Sequence, residues 1–277
     1  TTAVEAADLD GDGWLDAVFF DRETGVASLL NDGAGVFRQP TAAMPAVPTV
    51  IRTGVLTDID GDGDQDIIGA GKTGIFLWLN RGDASFEDAT SGIPALDAAV
   101  LQILPCELAM SGHPDLYLAC AGQDHVLLND GTGHLTVAAG AVPVNEARSF
   151  AAAAPDLNGD IAPDIVLAVP GGRDRLLLSA PTAPVVLLRA PANAVVGQPF
   201  AVHITAASPA GIASLVLTAN GSPVPTTDGQ AFITPATTGP IDFIGTACDT
   251  LGTETVIGPR RTMVAENLPP VVAAGPN

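Results

Sequence analysis

Short apolar runs alternate with clusters of Gly, Asp and Asn through the first two thirds of the chain. One set of runs, at residues 3–7, 50–57, 100–106 and 150–155, precedes a polar loop each time. A second set follows the loop, at 17–20, 67–70, 116–121 and 165–169. After a turn comes a third, at 26–30, 75–79, 125–128 and 175–178. Apolar runs this short, bounded by turn residues, predict strands rather than helices. Three units then close on an Asn and a Gly-rich turn: NDGAGVF from Asn31, NRGDASF from Asn80 and NDGTGHL from Asn129. Each turn leads into a fourth short strand. A unit is therefore about four strands in 49–50 residues, the length and content of one β-propeller blade.

The fourth unit stops after its third run. The proline-bearing segment APTAP, at 180–184, stands where the Asn-Gly turn and fourth strand would be. The first unit opens directly on its first strand. A closed propeller commonly completes its last blade with a strand from the other chain end. The expectation is that blades precede Thr1 in a longer protein, or that another segment completes the sheet.

From residue 184 the acids thin out and Val, Thr, Ala and Pro dominate. Strand-like runs recur at 185–188, 200–206, 214–218, 230–234, 241–247, 253–257 and 261–265. Seven short strands at this spacing predict an immunoglobulin-like sandwich. The expected fold class is all-β: a partial propeller of about four blades over 1–180, then an Ig-like β-sandwich over 184–266. Residues 267–277 read as a linker or the opening of a further Ig-like domain. In this segment Asp249 reads as a solvated turn residue, with an interdomain ion as the other reading.

The polar loops carry the chemistry. Residues 8–16 read DLDGDGWLD, 58–66 read DIDGDGDQD and 156–164 read DLNGDIAPD. Oxygen ligands fall at loop positions 1, 3, 5 and 9, with a backbone carbonyl at position 7. The first loop thus offers Asp8, Asp10, Asp12, the Trp14 carbonyl and Asp16. The second offers Asp58, Asp60, Asp62, the Asp64 carbonyl and Asp66. The fourth offers Asp156, Asn158, Asp160, the Ala162 carbonyl and Asp164. Hard oxygen donors on a tight loop select Ca²⁺ over softer metals, and over Mg²⁺, which keeps its waters. An EF-hand starts the same way but needs Glu at position 12 between helices; here position 12 is Phe19, Gly69 or Leu167, between strands. The remaining competitor is an Asp/Gly turn without an ion. In the third repeat, Glu107 to Asp115 read ELAMSGHPD; Ala109 and Ser111 replace ligands, so this loop is expected to keep its turn and lose its ion. Three Ca²⁺ sites are expected.

The loops, the repeat length and the trailing N-D-G-x-G-x-F together resemble the FG-GAP/VCBS repeats of secreted bacterial proteins and integrin α-chain propellers. The resemblance covers about residues 1–179. It implies four-stranded antiparallel blades with Ca²⁺ held between the first two strands. It also implies roles in adhesion, ligand binding and scaffolding, in some cases beside an enzyme. The degenerate third loop and the shortened fourth unit depart from the pattern. The C-terminal segment, with its Gly197–Gln198–Pro199 turn and the run GTACDTLGTET, resembles bacterial Ig-like domains.

Composition narrows the function. The formal charge is −20, with a single lysine, Lys72, and 12 of the 31 acids lie in the three intact loops. Nucleic acid and polybasic membrane contacts need Lys and Arg, so both are excluded as partners. No apolar run is long enough to span a bilayer, and no signal-peptide pattern is present. Cys106, Cys120 and Cys248 are an odd number; Cys106 and Cys120 fall on one hairpin about four positions out of register, too far for a bridge at ~3.3 Å per residue. They read as small buried hydrophobes. His113, His125, His134 and His203 show no metal-ligand spacing, and no G-x-S-x-G, H-E-x-x-H or Walker loop occurs. The chain reads as a non-enzymatic extracellular or cell-surface module of a larger bacterial protein. Its expected partners are other protein chains or surface glycans, and it could act as a homo-oligomer or filament subunit. The alternative is a carbohydrate-binding accessory or part of a secreted polysaccharide-acting enzyme.

Overall fold

The computed structural model describes residues 1–46, 50–72, 74–96, 98–144, 148–179, 181 and 183–266. The described chain is all-β, with one short 3-10 turn at Thr90–Gly92 and no α-helix. It forms two compact units, Thr1–Ala180 and Pro181–Asn277.

The first unit is a series of antiparallel meanders. Blade I contains β1 (Ala3–Ala7), β2 (Asp16–Asp21), β3 (Gly25–Asn31) and β4 (Phe37–Arg38), side by side in that order. Blade II contains β5 (Ile51–Thr57), β6 (Asp66–Gly71), β7 (Ile75–Asn80) and β8 (Phe86–Asp88). Blade III contains β9 (Val100–Cys106), β10 (Asp115–Cys120), β11 (His125–Asn129) and β12 (Leu135–Val137). Blade IV has three strands among the described residues: β13 (Ala151–Ala153), β14 (Ile165–Ala168) and β15 (Arg175–Leu177). First strands of successive blades lie beside one another, β1 by β5, β5 by β9 and β9 by β13.

Side chains alternate across a strand, so each sheet offers one face to each neighbour. Val18 and Phe20 of β2 pack with Ile67, Phe76 and Trp78 of blade II. Ile68 and Leu77 pack with Leu116 and Leu118 of blade III. Tyr117 and Ala119 pack with Ile165 and Leu167 of blade IV. Phe76 and Trp78 are fully buried with ring centroids 4.7 Å apart. Burial of side chains this large contributes about 1.5–3 kcal/mol each. Gly54 of β5 leaves the space that the Phe20 ring fills, since a Cβ there would overlap the ring.

In the β9–β10 hairpin Cys106 lies opposite Asp115 and Cys120 opposite Val100. Both thiols are free, as is that of Cys248. Burial pushes the Cys106 and Cys120 thiols up to about 12.

The second unit packs two sheets face to face. One is β16 (Val185–Arg189), β18 (Phe200–Ala207) and β21 (Gln230–Ile233), with β18 central. The other runs in the order β17 (Asn193–Val195), β23 (Glu254–Ala265), β22 (Gly239–Asp249), β19 (Ile212–Ala219), β20 (Ser222–Val224). Val202 and Ile204 from one sheet meet Leu217, Phe243 and Ile257 from the other. Two edge strands escaped the apolar pattern: β17 is Asn-Ala-Val, and β20 begins with exposed Ser222 and Pro223. The runs at 253–257 and 261–265 are one strand, because pairing with β22 continues past the register shift at Phe243/Gly245. Asp249 is not solvated. It is 3% exposed, and its Oδ1 accepts the N–H groups of Leu251 and Thr253 at 2.9 and 2.8 Å, capping the β22–β23 turn. The expected linker, residues 267–277, lies outside the described residues.

Candidate metal centre

Each loop between the first and second strand of a blade is built by its own carboxylates. The position-1 side chain wraps the turn. Asp8 accepts the N–H groups of Gly11 and Gly13, both at 2.8 Å; Asp58 accepts Gly61 and Gly63, at 2.8 and 3.1 Å. Asp156 repeats this with Gly159 and Ile161, at 2.7 and 3.0 Å. Positions 4 and 6 are left-handed in all four loops. Glycine supplies this conformation at least cost, yet Met110 takes position 4 in blade III (φ 52°) and Ile161 position 6 in blade IV (φ 72°). The loop shape thus survives where its glycines do not.

Position 9 is a clamp. Asp16, Asp66, Asp115 and Asp164 are all buried. One oxygen of each accepts an N–H from inside the loop: Leu9 and Ile59 at 2.8 Å, Ala109 at 2.6 Å, Leu157 at 2.9 Å. The other accepts the N–H that ends the third strand, Asn31 and Asn80 at 2.8 Å and Asn129 at 2.9 Å, or in blade IV that of Ser179, two residues past the strand, at 2.8 Å. The degenerate loop of blade III keeps this clamp, so Asp115 serves the fold independently of any ion.

Two loops gather acids. Oxygens of Asp8, Asp10 and Asp16 lie within 4.8 Å of one another, and those of Asp58, Asp60 and Asp66 do the same. Asp12 and Asp62 stand outside these groups and accept the N–H groups of Trp14 and Asp64 at 2.9 Å. In blade IV, Asp156 and Asn158 are exposed, and the Asn158 amide donates to Asp160 at 2.9 Å. Ala162 is buried and donates its N–H to Asp160 at 3.0 Å. No third acidic group of this kind forms among the described residues.

The residues present fit a hard divalent cation. A buried Asp10 oxygen has no hydrogen-bond partner among the described residues. Burial, then repulsion from Asp12, Asp16 and Asp8, holds the Asp10 carboxyl above its usual range. Burial likewise raises Asp58 and Asp60 and pushes Asp66 up to about 7, despite the Ile59 and Asn80 donors. Such carboxylates crowd one another unless a positive charge lies between them. Blade IV differs: burial raises Asp164, but the Leu157 and Ser179 donors outweigh it and hold the carboxyl low.

Two features beyond the ligand pattern complete the site. The first is the Asn that ends the third strand of blades I, II and III. Asn80 donates its side-chain amide to the Leu9 carbonyl of blade I at 2.9 Å, and Asn129 to the Ile59 carbonyl of blade II at 2.7 Å. These bonds tie each acidic loop to the next blade; the repeated Asn before the Gly-rich turn was the visible signal. The second is the position-7 side chain, which covers the glycine two residues after that Asn. At Gly131 (φ 86°) a Cβ would come 2.6 Å from His113 Nε2; Trp14 and Asp64 lie likewise over Gly33 and Gly82.

The FG-GAP-like repeat family model matches residues 8–68 and 58–105. Blades I and II, with the start of blade III, therefore carry FG-GAP-like repeats. No curated protein matches the chain. Among solved structures, an Agrocybe aegerita lectin, described for specific recognition of non-reducing terminal N-acetylglucosamine, is 23% identical with a TM-score of 0.41; the match covers 62% of this chain and 50% of the lectin. The fibronectin(III)-like modules of Clostridium thermocellum CbhA are 17% identical with a TM-score of 0.27, covering 30% of this chain and 97% of theirs. The extracellular domain of a hybrid two-component system protein from B. thetaiotaomicron is 9% identical with a TM-score of 0.38, covering 94% of this chain and 36% of that one. The chain thus spans half the length of the lectin and about a third of the B. thetaiotaomicron domain.

Proposed function

We propose that this chain is a Ca²⁺-stabilised extracellular module that binds other macromolecules, protein or surface glycan, in a structural or adhesive role rather than a catalytic one. The observation that carries the reading is the pair of acidic groups, Asp8–Asp10–Asp16 and Asp58–Asp60–Asp66, each held on one loop frame. Asp8, Asp10 and Asp16 would hold one ion, and Asp58, Asp60 and Asp66 a second. The blade IV loop would hold a third more weakly, because Asn158 brings no charge and affinity follows ligand charge.

An ion bound there neutralises carboxylates that otherwise repel one another. Because it binds the folded chain, it stabilises that form by mass action, by about 2.7 kcal/mol per site at a hundredfold excess over Kd. The Asn80 and Asn129 bridges then pass the rigidity of one loop to the next blade. The second unit, an Ig-like sandwich on this reading, spaces the blades from the surface that bears them. The supply of free Ca²⁺ outside a cell suits sites of this kind.

A thermal melt with and without chelator tests this reading. The first unit should lose stability on chelation, and Mg²⁺ should restore little of it. An unchanged melting temperature would refute it. A glycan array and immobilised surface proteins, each probed in Ca²⁺ and in chelator, identify the binding class. Turnover of a polysaccharide abolished by an Asp or Glu change outside the loops would replace this reading with the enzymatic one.

A further inference from the structure

One turn joins the two acidic loops. Asn80 ends β7 and opens the turn that runs to Ser85, closed by the Arg81 N–H on the Ser85 carbonyl at 3.0 Å. Its backbone N–H is bound to Asp66 of its own blade at 2.8 Å, and its side-chain amide to the Leu9 carbonyl of the blade I loop at 2.9 Å. From the far side of the turn the Ala84 N–H reaches the same carbonyl, also at 2.9 Å. The Leu9 N–H donates to Asp16 at 2.8 Å. A continuous path thus runs between the position-9 carboxylates of the two loops, from Asp66 through Asn80 and Leu9 to Asp16.

Every residue on that path is buried, as is Ala84. The turn also sits between the loops. A Cβ on Gly82 would meet the Asp64 carboxylate at 2.6 Å, and one on Gly11 would come 3.8 Å from the Gly82 carbonyl. The next joint is built alike but ends differently. Asn129 carries the path from Ile59 to Asp115, in a loop where Ala109 and Ser111 stand in place of ligands.

A buried polar group that loses its partner is destabilising. If the blade I loop opened, the Asn80 amide and the Ala84 N–H would lose their acceptor. The loosened turn would then release its N–H from Asp66. Opening of either loop therefore favours opening of the other. Repulsion among the acids favours opening in both, and an ion that closes one loop removes part of that cause from its neighbour.

We propose that Asn80 is a positioning residue that couples the two loops: Ca²⁺ in the blade II loop orders the blade I loop, and the reverse. Linkage makes the effect reciprocal. The proposal rests on the metal reading and extends it from two sites to one coupled pair. Repulsion between two bound ions opposes the coupling, but it acts through solvent-facing loops and is screened by salt within about 10 Å. The buried Asn80 bond is not.

Hydrogen exchange on the full chain, in high salt with and without Ca²⁺, tests it. In Asp10→Ala the blade II loop remains to be filled. Ca²⁺ should then slow exchange of the Ile59 N–H in that loop and also of the Leu9 N–H in the other. The Leu9 effect should be about 2- to 12-fold, the span that the net contribution of one hydrogen bond allows. Asp60→Ala should show the reverse, with the Asn80 N–H slowed by filling of the blade I loop. Adding Asn80→Ala to Asp10→Ala should at least halve the Leu9 effect, leaving what the Ala84 bond transmits. The Asp10→Ala/Asp60→Ala chain should show no effect at Leu9. Slowing at Ile59 with none at Leu9 would overturn the coupling and leave the metal reading intact. So would a Leu9 effect that Asn80→Ala leaves unchanged, or one that persists in the double variant. No slowing at either residue would refute the metal reading itself. If Asn80→Ala fails to fold, the Leu9 response in Asp10→Ala, which keeps Asn80, decides alone.

Discussion

Replacing Asp115 by Ala separates the scaffold role of loop position 9 from any ion. Asp115 is fully buried and accepts two backbone N–H groups, from Ala109 at 2.6 Å and Asn129 at 2.9 Å. Leaving two buried donors without an acceptor costs about 1–3 kcal/mol each. Part of this returns, because the wild-type chain buries a carboxylate; burial, with repulsion from Glu107, already holds Asp115 above its usual range. The net loss is then about 2–4 kcal/mol. At roughly 2–4 °C per kcal/mol for a domain of this size, the first unit should melt roughly 4–16 °C lower. Asp115→Asn keeps one acceptor and buries no charge, so its loss should stay near 1 kcal/mol or below. Scanning calorimetry in Ca²⁺ and in chelator reads both variants. The Asp115→Ala loss should be the same in the two buffers, because its loop lacks the other ligands. A loss under about 0.5 kcal/mol, the range of an ordinary surface change, would refute the clamp. A loss present only in Ca²⁺ would show instead that blade III binds the ion.

Three further outcomes follow from the geometry. Asn129→Ala removes the bonds to Ile59 and Pro114 and the acceptor for the Gly131 N–H; it should cost about 2–4 kcal/mol in urea unfolding and weaken blade II as well as blade III by hydrogen exchange. Under native conditions an alkylating reagent should leave Cys120 unlabelled, since it is 1% exposed with its thiol pushed up to about 12, and full labelling should need unfolding. Arg261 bonds Asp242 twice, at 2.7 and 2.8 Å, and holds its carboxyl below the usual range. Stability from this pair is present above the usual carboxylate range and is lost as pH falls through the lowered value. The small gap in melting temperature between wild type and Arg261→Ala should therefore close in acid, and a gap that widens would contradict the pairing.

The blades were readable because each element repeats the same two signals, an apolar run and a turn cluster, at nearly constant spacing. Blade IV even announced its missing strand through the proline segment after Ser179. The second unit was less readable at its edges. β17 and β20 are three residues each and bury little, so hydrophobic pattern is a weak guide to them. Asp249 looked like a solvated turn because sequence records composition and not burial; the Leu251 and Thr253 donors that let it sit inside are backbone groups. The same limit applies to the loops. Five oxygen positions per loop were apparent, but not that Asp12 and Asp62 turn to backbone donors, nor that position 9 has structural work independent of any ion. Left-handed Met110 and Ile161 were equally hidden, since neither residue advertises that conformation.

Whether the loops of blades I and II hold Ca²⁺ decides the proposed function most directly. Calorimetric titration of metal-stripped chain with Ca²⁺ measures it, with Asp10→Ala and Asp60→Ala beside the wild type. Two sites should fill first, one lost in each variant and both lost in the double variant, with any weaker event assigned to blade IV by Asp156→Ala. Absence of binding heat together with absence of bound calcium, or binding that both substitutions leave intact, would contradict the account.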